Sequence, residues 1–292
     1  AASDVYKRQR EMNLEFSNLY SIYTLIFGLV FGSFLNVIII RLPKTLKVIW
    51  ANSDKYADST SDNFSIYKNM LWKGRSKCSQ CNSVIRAQDN IPILSYLLLR
   101  GVCPECKNKI SIQYPIVETI TGGCFFILFF IAETMLQWGI LALFFSFLIV
   151  LFTIDINEMI LPDILTIPLL WIGLLINING YFVKLDDAVI GAFMGYAILW
   201  SIFWLFKLIT GKIGMGYGDF KYMSALGAWL GWQSIPSILL IASILGITFG
   251  IVASRKSSKK SLQFPFGPFL SIAGGILIIC LLYTSPSPRD VE

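Results

Sequence analysis

Two aspartates are the first candidates for chemistry in this strongly apolar chain. Asp219 follows three alternating glycines in GMGYGDFK (214–221), and Asp155 lies in the acidic segment IDINEMILPD (154–163). Two carboxyl groups that lie close together at low dielectric cannot both ionise, so one keeps a proton and the other is a general base. The base activates a water molecule and the acid protonates the leaving amide nitrogen. If the fold brings the two side chains together, they predict aspartyl peptide hydrolysis.

The composition excludes several other catalytic classes. The sequence contains no histidine, which removes Ser-His and Cys-His nucleophile pairs and histidine-ligated catalytic zinc. Lysine-assisted serine chemistry is not excluded by this, but no convincing Ser and Lys pair lies at one membrane depth. Aspartate chemistry therefore remains as the prediction.

Residues around the two aspartates suggest supporting roles, and each has a simpler structural interpretation. Gly216 and Gly218 would allow close approach of neighbouring backbone or of substrate. Lys221 either marks the membrane interface or supplies a cation that favours ionised Asp219. Asp163 follows a proline, where an N-cap residue is expected, and Asp155 itself could merely end a helix at the interface.

Four cysteines carry a second chemical signal. They form two CxxC motifs separated by residues 82–102: Cys78, Cys81, Cys103 and Cys106. This spacing is typical of a structural zinc site, in which four thiolates close a tetrahedron and leave no open position for catalysis. Disulfides or free thiols are the alternatives.

The elements that must position these residues are membrane helices. The chain is 55% hydrophobic and 14% charged, whereas soluble domains are about a quarter charged. We predict an all-α polytopic membrane protein of about eight transmembrane helices, with a cytoplasmic four-cysteine, zinc-binding insertion after the first. The expected spans are 19–40, 116–132, 136–154, 164–183, 188–206, 220–232, 235–253 and 265–281. The sixth is short and glycine-rich, which is tolerated at membrane depth only inside protein or beside a wet cavity.

Loop charges predict the orientation of these spans. Lys and Arg concentrate in the segments 41–109, 207–212 and 254–262, which we therefore place in the cytoplasm, with the N-terminus outside. Asp155 and Asp219 then reach the same cytoplasmic depth. The cysteines lie where reduced thiols persist. The net charge of +6 follows from this loop bias, so we expect no nucleic-acid partner.

We predict four divisions of the chain. Residues 1–11 are interpreted as an adaptor-derived artefact and leader, with Met12 as the expected start, and residues 280–292 as a second adaptor-derived segment. Residues 12–113 hold the first helix and the cysteine region. Residues 114–279 form the peptidase transmembrane domain. Within the second division, the polar segment 44–74 is expected to be a variable loop.

Six blocks in order resemble the prepilin peptidases, also called type IV leader peptidases. They are GSFLNVIIIRLP (32–43), the CxxC pair, DNIPILSYLLLRG (89–101), YPIVE (114–118), IDINEMILPD and GMGYGDFK. The resemblance covers about residues 19–279. It implies a bifunctional enzyme of the bacterial cytoplasmic membrane that removes the basic leader of prepilins or pseudopilins at the cytoplasmic face. The same resemblance implies that the new N-terminal residue is then methylated with S-adenosylmethionine.

The resemblance also implies site residues. The family's catalytic pair corresponds to Asp155 and Asp219, and the region associated with methyl transfer corresponds to Gly32, Asn36, Arg41 and Pro43. No glycine-rich methyltransferase motif is visible, and Gly32 could serve helix packing while Arg41 anchors the interface. The stretch RAQ before DNIP and the long 44–74 segment depart from the family pattern.

Two alternatives follow from these observations. The first is a peptidase that does not methylate its product. The second, from a different class, is an ion-coupled transporter whose membrane carboxylates carry protons. A prepilin or pseudopilin substrate and the surrounding lipid are the expected partners.

Overall fold

The protein is all-helical in the regions that the computed structural model describes. These are residues 2–51, 78, 80–212, 214–256 and 264–284. Their helices are α1 (Ala2–Ala51), α2 (Leu94–Leu98), α3 (Gln113–Ile131), α4 (Met135–Glu158), α5 (Asp163–Ile176), α6 (Leu185–Thr210), α7 (Tyr217–Leu230), α8 (Ile235–Lys256) and α9 (Gly267–Thr284). The described residues contain no strand, only an isolated bridge between Val102 and Lys109. The predicted all-α class is confirmed.

Several helices are long and apolar enough to cross a membrane. Five candidate spans are Leu19–Ala51, Gln113–Ile131, Met135–Glu158, Leu185–Thr210 and Trp232–Arg255, and two shorter apolar helices are Asp163–Asn179 and Gly267–Tyr283. The chain is therefore a multi-pass membrane protein. The count of eight spans stays a prediction, because α5, α7 and α9 are short.

Helix boundaries differ from the expected ones at both ends. Helix α1 continues through Pro43 to Ala51, so the loop expected from residue 44 cannot begin before 52. Its remainder, 52–74, lies outside the described residues. Helix α9 runs to Thr284, past the expected boundary at 279. Residues 1 and 285–292 of the predicted adaptor segments lie outside the described regions, and the four predicted divisions stay predictions.

The chain divides within α4 into two compact units, after Ser146. In the first unit, α1 and α3 pack through small residues. A Cβ atom added at Gly28 would lie 2.8 Å from the Cα of Gly122, and one at Gly32 would lie 2.8 Å from the Cα of Glu118. Such residues let helix backbones approach closely in membranes. Phe125 packs beside them, and its ring contacts the ring of Trp138. The backbone carbonyl of Phe125 accepts a hydrogen bond from the Trp138 indole.

The second unit surrounds α7 with protein. Except for Lys221, every α7 residue from Asp219 to Leu230 is buried. At about 1.5 Å per residue, a helix of this length spans roughly 21 Å, less than the hydrocarbon thickness of about 30 Å. Gly191 of α6 meets the backbone of Gly227 of α7, and the Trp229 indole donates to the carbonyl of Leu169 at 2.8 Å. The expectation that this short segment is enclosed by protein is confirmed.

Candidate active site

Asp155 lies near the end of α4 and is buried, with 5% of its surface exposed. Its Oδ2 atom accepts a hydrogen bond of 2.9 Å from the backbone N–H of Gly267. Gly267 is the first residue of α9, so the carboxylate satisfies one of the N–H groups that a helix start leaves without an intrahelical partner. A Cβ atom at position 267 would lie 2.6 Å from this oxygen. Only glycine fits this contact without displacement.

Asp219 lies in the first turn of α7 and is also buried, with 7% exposed. Its side chain is hydrogen-bonded to the backbone of Gly216, the N-cap residue of the helix. This is the reciprocal bond of a capping box, here made by aspartate. Both carboxyl groups belong to the second unit, where they lie close enough to interact electrostatically.

Leu161 connects the two helix starts that hold these carboxyl groups. A Cβ atom at Gly218 would lie 2.8 Å from the Cβ of Leu161, and one at Gly267 would lie 3.2 Å from its Cδ2. Glycine is therefore needed on both sides of this leucine. The structure brings Asp155, Asp219 and Gly218 together in the second unit, while Gly216 supplies the cap of α7.

Burial of two carboxyl groups would be costly without compensation. Here the N-terminal ends of α7 and α9 each direct a backbone N–H at one of them, and the positive end of a helix dipole favours nearby negative charge. A buried pair of this kind can hold one proton between its members. The arrangement can therefore supply an acid and a base to the same substrate bond.

Two residues of this site were missed by the sequence reasoning. The Tyr222 hydroxyl lies 2.8 Å from Ser271 Oγ, and Ser271 donates to the carbonyl of Gly267 at 2.9 Å. Tyr222 is fully buried and follows Asp219 by three residues, a spacing that places both on one side of α7. That spacing is the only sequence signal, because the contact with α9 joins segments far apart in the chain.

Asp163 and Lys221 form an exposed ion pair. Lys221 Nζ donates to both carboxylate oxygens of Asp163, at 2.8 and 2.7 Å. The predicted N-cap role of Asp163 is wrong. Pro162 occupies the N-cap position without a side-chain cap, and Asp163 is the first helical residue. The cation considered as a partner for Asp219 thus lies against Asp163 and joins α5 to α7.

The four cysteines of the first unit converge on one point. The sulfur atoms of Cys78, Cys81, Cys103 and Cys106 all lie within 4.8 Å of one another, and Cys78 and Cys106 are 3.8 Å apart. All four are free thiols. A tetrahedron with metal–sulfur bonds of about 2.3 Å has sulfur–sulfur distances of about 3.8 Å. The thiols therefore fit a four-coordinate metal, and the predicted cluster is confirmed as a group that could hold one.

The two CxxC loops are built alike. In each, the backbone N–H of the first cysteine donates a hydrogen bond to the carbonyl of the residue five positions later. These bonds run from Cys78 to Ser83 and from Cys103 to Asn108, both at 2.9 Å. The carbonyl of each first cysteine also accepts a 3.0 Å hydrogen bond from the backbone N–H of the residue four positions later, which is Asn82 in one loop and Lys107 in the other. These two residues have the same left-handed backbone, with φ of 57° and 58°. Two copies of one turn thus face their sulfur atoms toward a shared centre.

Local hydrogen bonds favour the thiolate form of two of the four cysteines. The Ser83 hydroxyl, 2.9 Å from Cys81, and the Ser83 backbone lower the pKa of Cys81 to about 6. Backbone groups of Cys106 and Glu105 lower the pKa of Cys103. The pKa of Cys106 is instead raised to about 11, because the backbone hydrogen bond of Asn108 is outweighed by desolvation and by the hydrogen bonds of the other three cysteines. Because metal ligands must be deprotonated, Cys81 and Cys103 are the two thiols that these bonds prepare for a metal.

The first unit also contains a cavity of about 400 Å³, lined by parts of α1 and α3, by Cys78 and by the segment 83–111. Of the four residues expected near methyl transfer, Asn36 and Arg41 line it. Gly32 packs against the Cα of Glu118, which agrees with its helix-packing interpretation. Pro43 is buried further along α1, outside the lining. Glu118, a buried carboxylate of the lining, was missed, although it ends the YPIVE block.

Comparisons with known proteins agree with this division of sites. Residues 26–132 match the bacterial peptidase A24 N-terminal domain, and residues 142–251 match the type IV leader peptidase family. No solved structure matches the chain.

Curated relatives named prepilin leader peptidase/N-methyltransferase match over most of their length. The Aeromonas hydrophila protein is 47% identical over 266 residues, covering 89% of this chain and 91% of the relative. The Pectobacterium carotovorum protein is 44% identical, covering 85% and 89%. The Pseudomonas aeruginosa protein is 42% identical, covering 88% and 89%. With the aspartate pair and the cysteine cluster in place, these matches show that the chain belongs to the type IV leader peptidase family.

Proposed function

We propose that this protein removes the basic leader of type IV prepilins or pseudopilins by aspartyl hydrolysis, and then methylates the new N-terminal residue. The observation that carries the peptidase proposal is the pair of buried carboxyl groups, each held by a backbone group at the start of a helix. The names of the relatives support the substrate class and the second activity.

In this proposal Asp155 and Asp219 share the acid and base roles. The base takes a proton from water, whose oxygen attacks the carbonyl carbon of the scissile bond. The acid gives its proton to the amide nitrogen as the carbon–nitrogen bond breaks. Gly267 N–H holds one oxygen of Asp155, so that carboxylate keeps its orientation during the reaction. Gly218 lets the start of α7 lie close to Leu161, next to the reacting groups.

The cytoplasmic face of the bacterial inner membrane is the proposed place of cleavage. A prepilin combines an apolar helix with a basic leader. Lipid accommodates the helix, and the positive-inside rule retains the leader in the cytoplasm. The concentration of Lys and Arg in the segments 41–109 and 207–212 supports this orientation. The same bias explains the net positive charge, so the proposal includes no nucleic-acid partner.

Zinc is the proposed metal of the four-cysteine cluster. Four thiolates from two CxxC loops suit a closed structural zinc site, which crosslinks the segment that they bracket. In this role the ion stabilises the first unit and takes no part in hydrolysis.

S-adenosylmethionine is the proposed methyl donor, and it supplies an electrophilic methyl group. We assign this activity to the first unit, with Asn36 and Arg41 beside the cavity and Gly32 and Pro43 shaping α1. The segment that contains the cysteines forms another part of the lining, since Cys78 and Cys103 contribute to it.

Leader cleavage by aspartate variants tests the proposal. Asp155→Asn and Asp219→Asn keep the side-chain shape and remove the ionisable group, so we expect cleavage of a model prepilin in membranes to fall by at least ~10²-fold. Asp186→Asn is the matched control, because Asp186 is an exposed first-turn acid of α6. It should cleave like the unmodified protein.

Mass spectrometry of the product completes the test. A gain of one methyl group at the new N-terminus supports the second activity, whereas a product without it leaves a peptidase alone. Methylation of a pilin that has already lost its leader should persist in both aspartate variants. Cleavage by both variants at the unmodified rate would overturn the aspartyl mechanism.

A further inference from the structure

The cavity of the first unit has the features of a small-molecule site. Its volume of about 400 Å³ falls in the range of ligand pockets. Its lining combines the carboxylates of Asp89 and Glu118, the guanidinium of Arg41 and the ring of Tyr96 with apolar side chains. Such a lining suits a ligand with an aromatic part and both signs of charge.

Asn36 provides an observation that points to a ligand. The residue is only 2% exposed, and its Nδ2 donates to the carbonyl of Tyr114 at 3.1 Å. Its Oδ1 is buried and has no hydrogen-bond partner among the described residues. Buried side-chain acceptors are normally satisfied, because leaving one unpaired is unfavourable. An N–H or O–H group of a ligand in the cavity would satisfy this oxygen.

Strained backbone lies in the same wall. Ile93 has φ of 60° and ψ of −49°, a conformation that a β-branched residue rarely adopts. Its N–H donates to Glu118 Oε2 at 2.8 Å, and Glu118 is also hydrogen-bonded to the side chain of Ser33. Strain of this kind persists where surrounding contacts fix it, and it clusters at functional sites. Glu118 thus joins α1, α3 and the segment 83–111 around one carboxylate.

We infer that this cavity binds S-adenosylmethionine, with Asn36 Oδ1 and the Glu118 carboxylate as its acceptors. The inference rests on the proposed methyl transfer and adds the site and its contact residues. The ligand carries a sulfonium, an ammonium, ribose hydroxyls and an adenine amino group, all of which favour acceptors or negative charge. Arg41 gives its carboxylate a cation, and Tyr96 gives its purine an aromatic surface.

Direct binding tests the site without relying on methyl transfer. Tritium-labelled S-adenosylmethionine is equilibrated with the purified full chain and with the variants Glu118→Gln and Asn36→Leu. Glutamine can still accept the N–H of Ile93 but lacks the charge, and leucine removes the unpaired oxygen. We expect the Kd to rise at least ~10-fold in each, which corresponds to about 1.4 kcal/mol. Thr119→Val is the control, because Thr119 is the exposed neighbour of Glu118 on α3.

Leader cleavage by the same preparations reports on folding. Cleavage within about twofold of the unmodified chain shows that a loss of donor binding is local to the cavity. If Asn36→Leu cleaves more slowly than this, the Kd of Glu118→Gln is the result that tests the site. Unchanged Kd in folded variants, with binding and methylation intact in the unmodified chain, would overturn the site alone. An unmodified chain that cleaves but neither binds the donor nor methylates would overturn the proposed methyl transfer together with the site.

Discussion

The two units treat buried polar groups in opposite ways. In the second unit, each of the two buried carboxyl groups receives a hydrogen bond from the start of a helix, and the nearby Tyr222 and Ser271 are bonded to each other. In the first unit, the buried Asn36 oxygen is without a partner among the described residues, and Ile93 is strained beside it. The second unit therefore satisfies these buried polar groups within the protein, whereas the first leaves an acceptor for the ligand that we propose.

The units also differ in what fixes their geometry. Helix packing through glycine fixes the aspartate pair, since Gly191, Gly218 and Gly267 all contact neighbouring atoms where a side chain would stand. The cavity has one wall without long helices, and there the two CxxC loops bring four thiols together. Steric changes should therefore damage the second unit most, and metal loss should damage the first.

The largest effect is expected from Gly267→Ala. The added methyl group would lie 2.6 Å from Asp155 Oδ2, so the carboxylate or the start of α9 must move. Displacement of about 1 Å in a catalytic group can reduce the rate ~10²-fold, and we expect a loss of this size in leader cleavage. Gly250→Ala is the control, because its Cβ would make an ordinary contact 3.7 Å from Phe264. Equal loss in both variants would contradict the steric explanation.

The next effect concerns the metal. Cys103→Ser removes the buried thiol of the cluster, and loss of a ligand should reduce metal affinity by ~10-fold or more. We expect zinc content to fall and the Kd for S-adenosylmethionine to rise, because Cys103 also lines the cavity. Leader cleavage should fall less than donor binding, since the aspartate pair belongs to the other compact unit.

Cys124→Ser is the matched control for this experiment. Cys124 lies in α3 outside the cluster, so its replacement should leave zinc content unchanged. Metal analysis of both purified variants, together with donor binding, separates the two cysteines. A Cys103→Ser protein that loses zinc but binds the donor normally would show that the metal does not shape the cavity.

Sequence patterns predicted the helices because burial of apolar residues in lipid leaves a long, local signal. The CxxC cluster was also predictable from a local signal, because each short loop fixes the geometry of its own two sulfur atoms. The contacts of Asp155 with Gly267 and of Tyr222 with Ser271 were not, because they join distant segments whose register depends on helix packing. Asp163 was misassigned because a helix start after proline offers both an N-cap and a first helical position. Its partner Lys221 lies on another helix.

A smaller effect should follow from Ser271→Ala. This change removes the bonds to Tyr222 and to the carbonyl of Gly267, which support the first turn of α9 behind Asp155. A hydrogen bond of ordinary net strength corresponds to a decrease of about 3- to 10-fold in kcat. KM should stay nearly constant, because neither group reaches the substrate in the proposed mechanism. Ser271→Thr retains the hydroxyl and should recover kcat. A rise in KM at constant kcat would instead indicate a role in substrate binding.

The smallest effect is expected at Lys221, where the ion pair with Asp163 joins α5 to α7 at the surface. The side chains are 37% and 56% exposed, and exposed pairs of this kind contribute about 0–1 kcal/mol. A double-mutant cycle with Lys221→Gln and Asp163→Asn, measured by reversible unfolding in detergent, should give a coupling within that range that weakens with added salt. Cleavage should stay within about twofold of the unmodified rate, since the largest stability change expected is small. A coupling that persists at high salt would contradict the description of this contact as an exposed, screened ion pair. A large loss of cleavage in Lys221→Gln alone would mean that this surface cation acts on the aspartate pair.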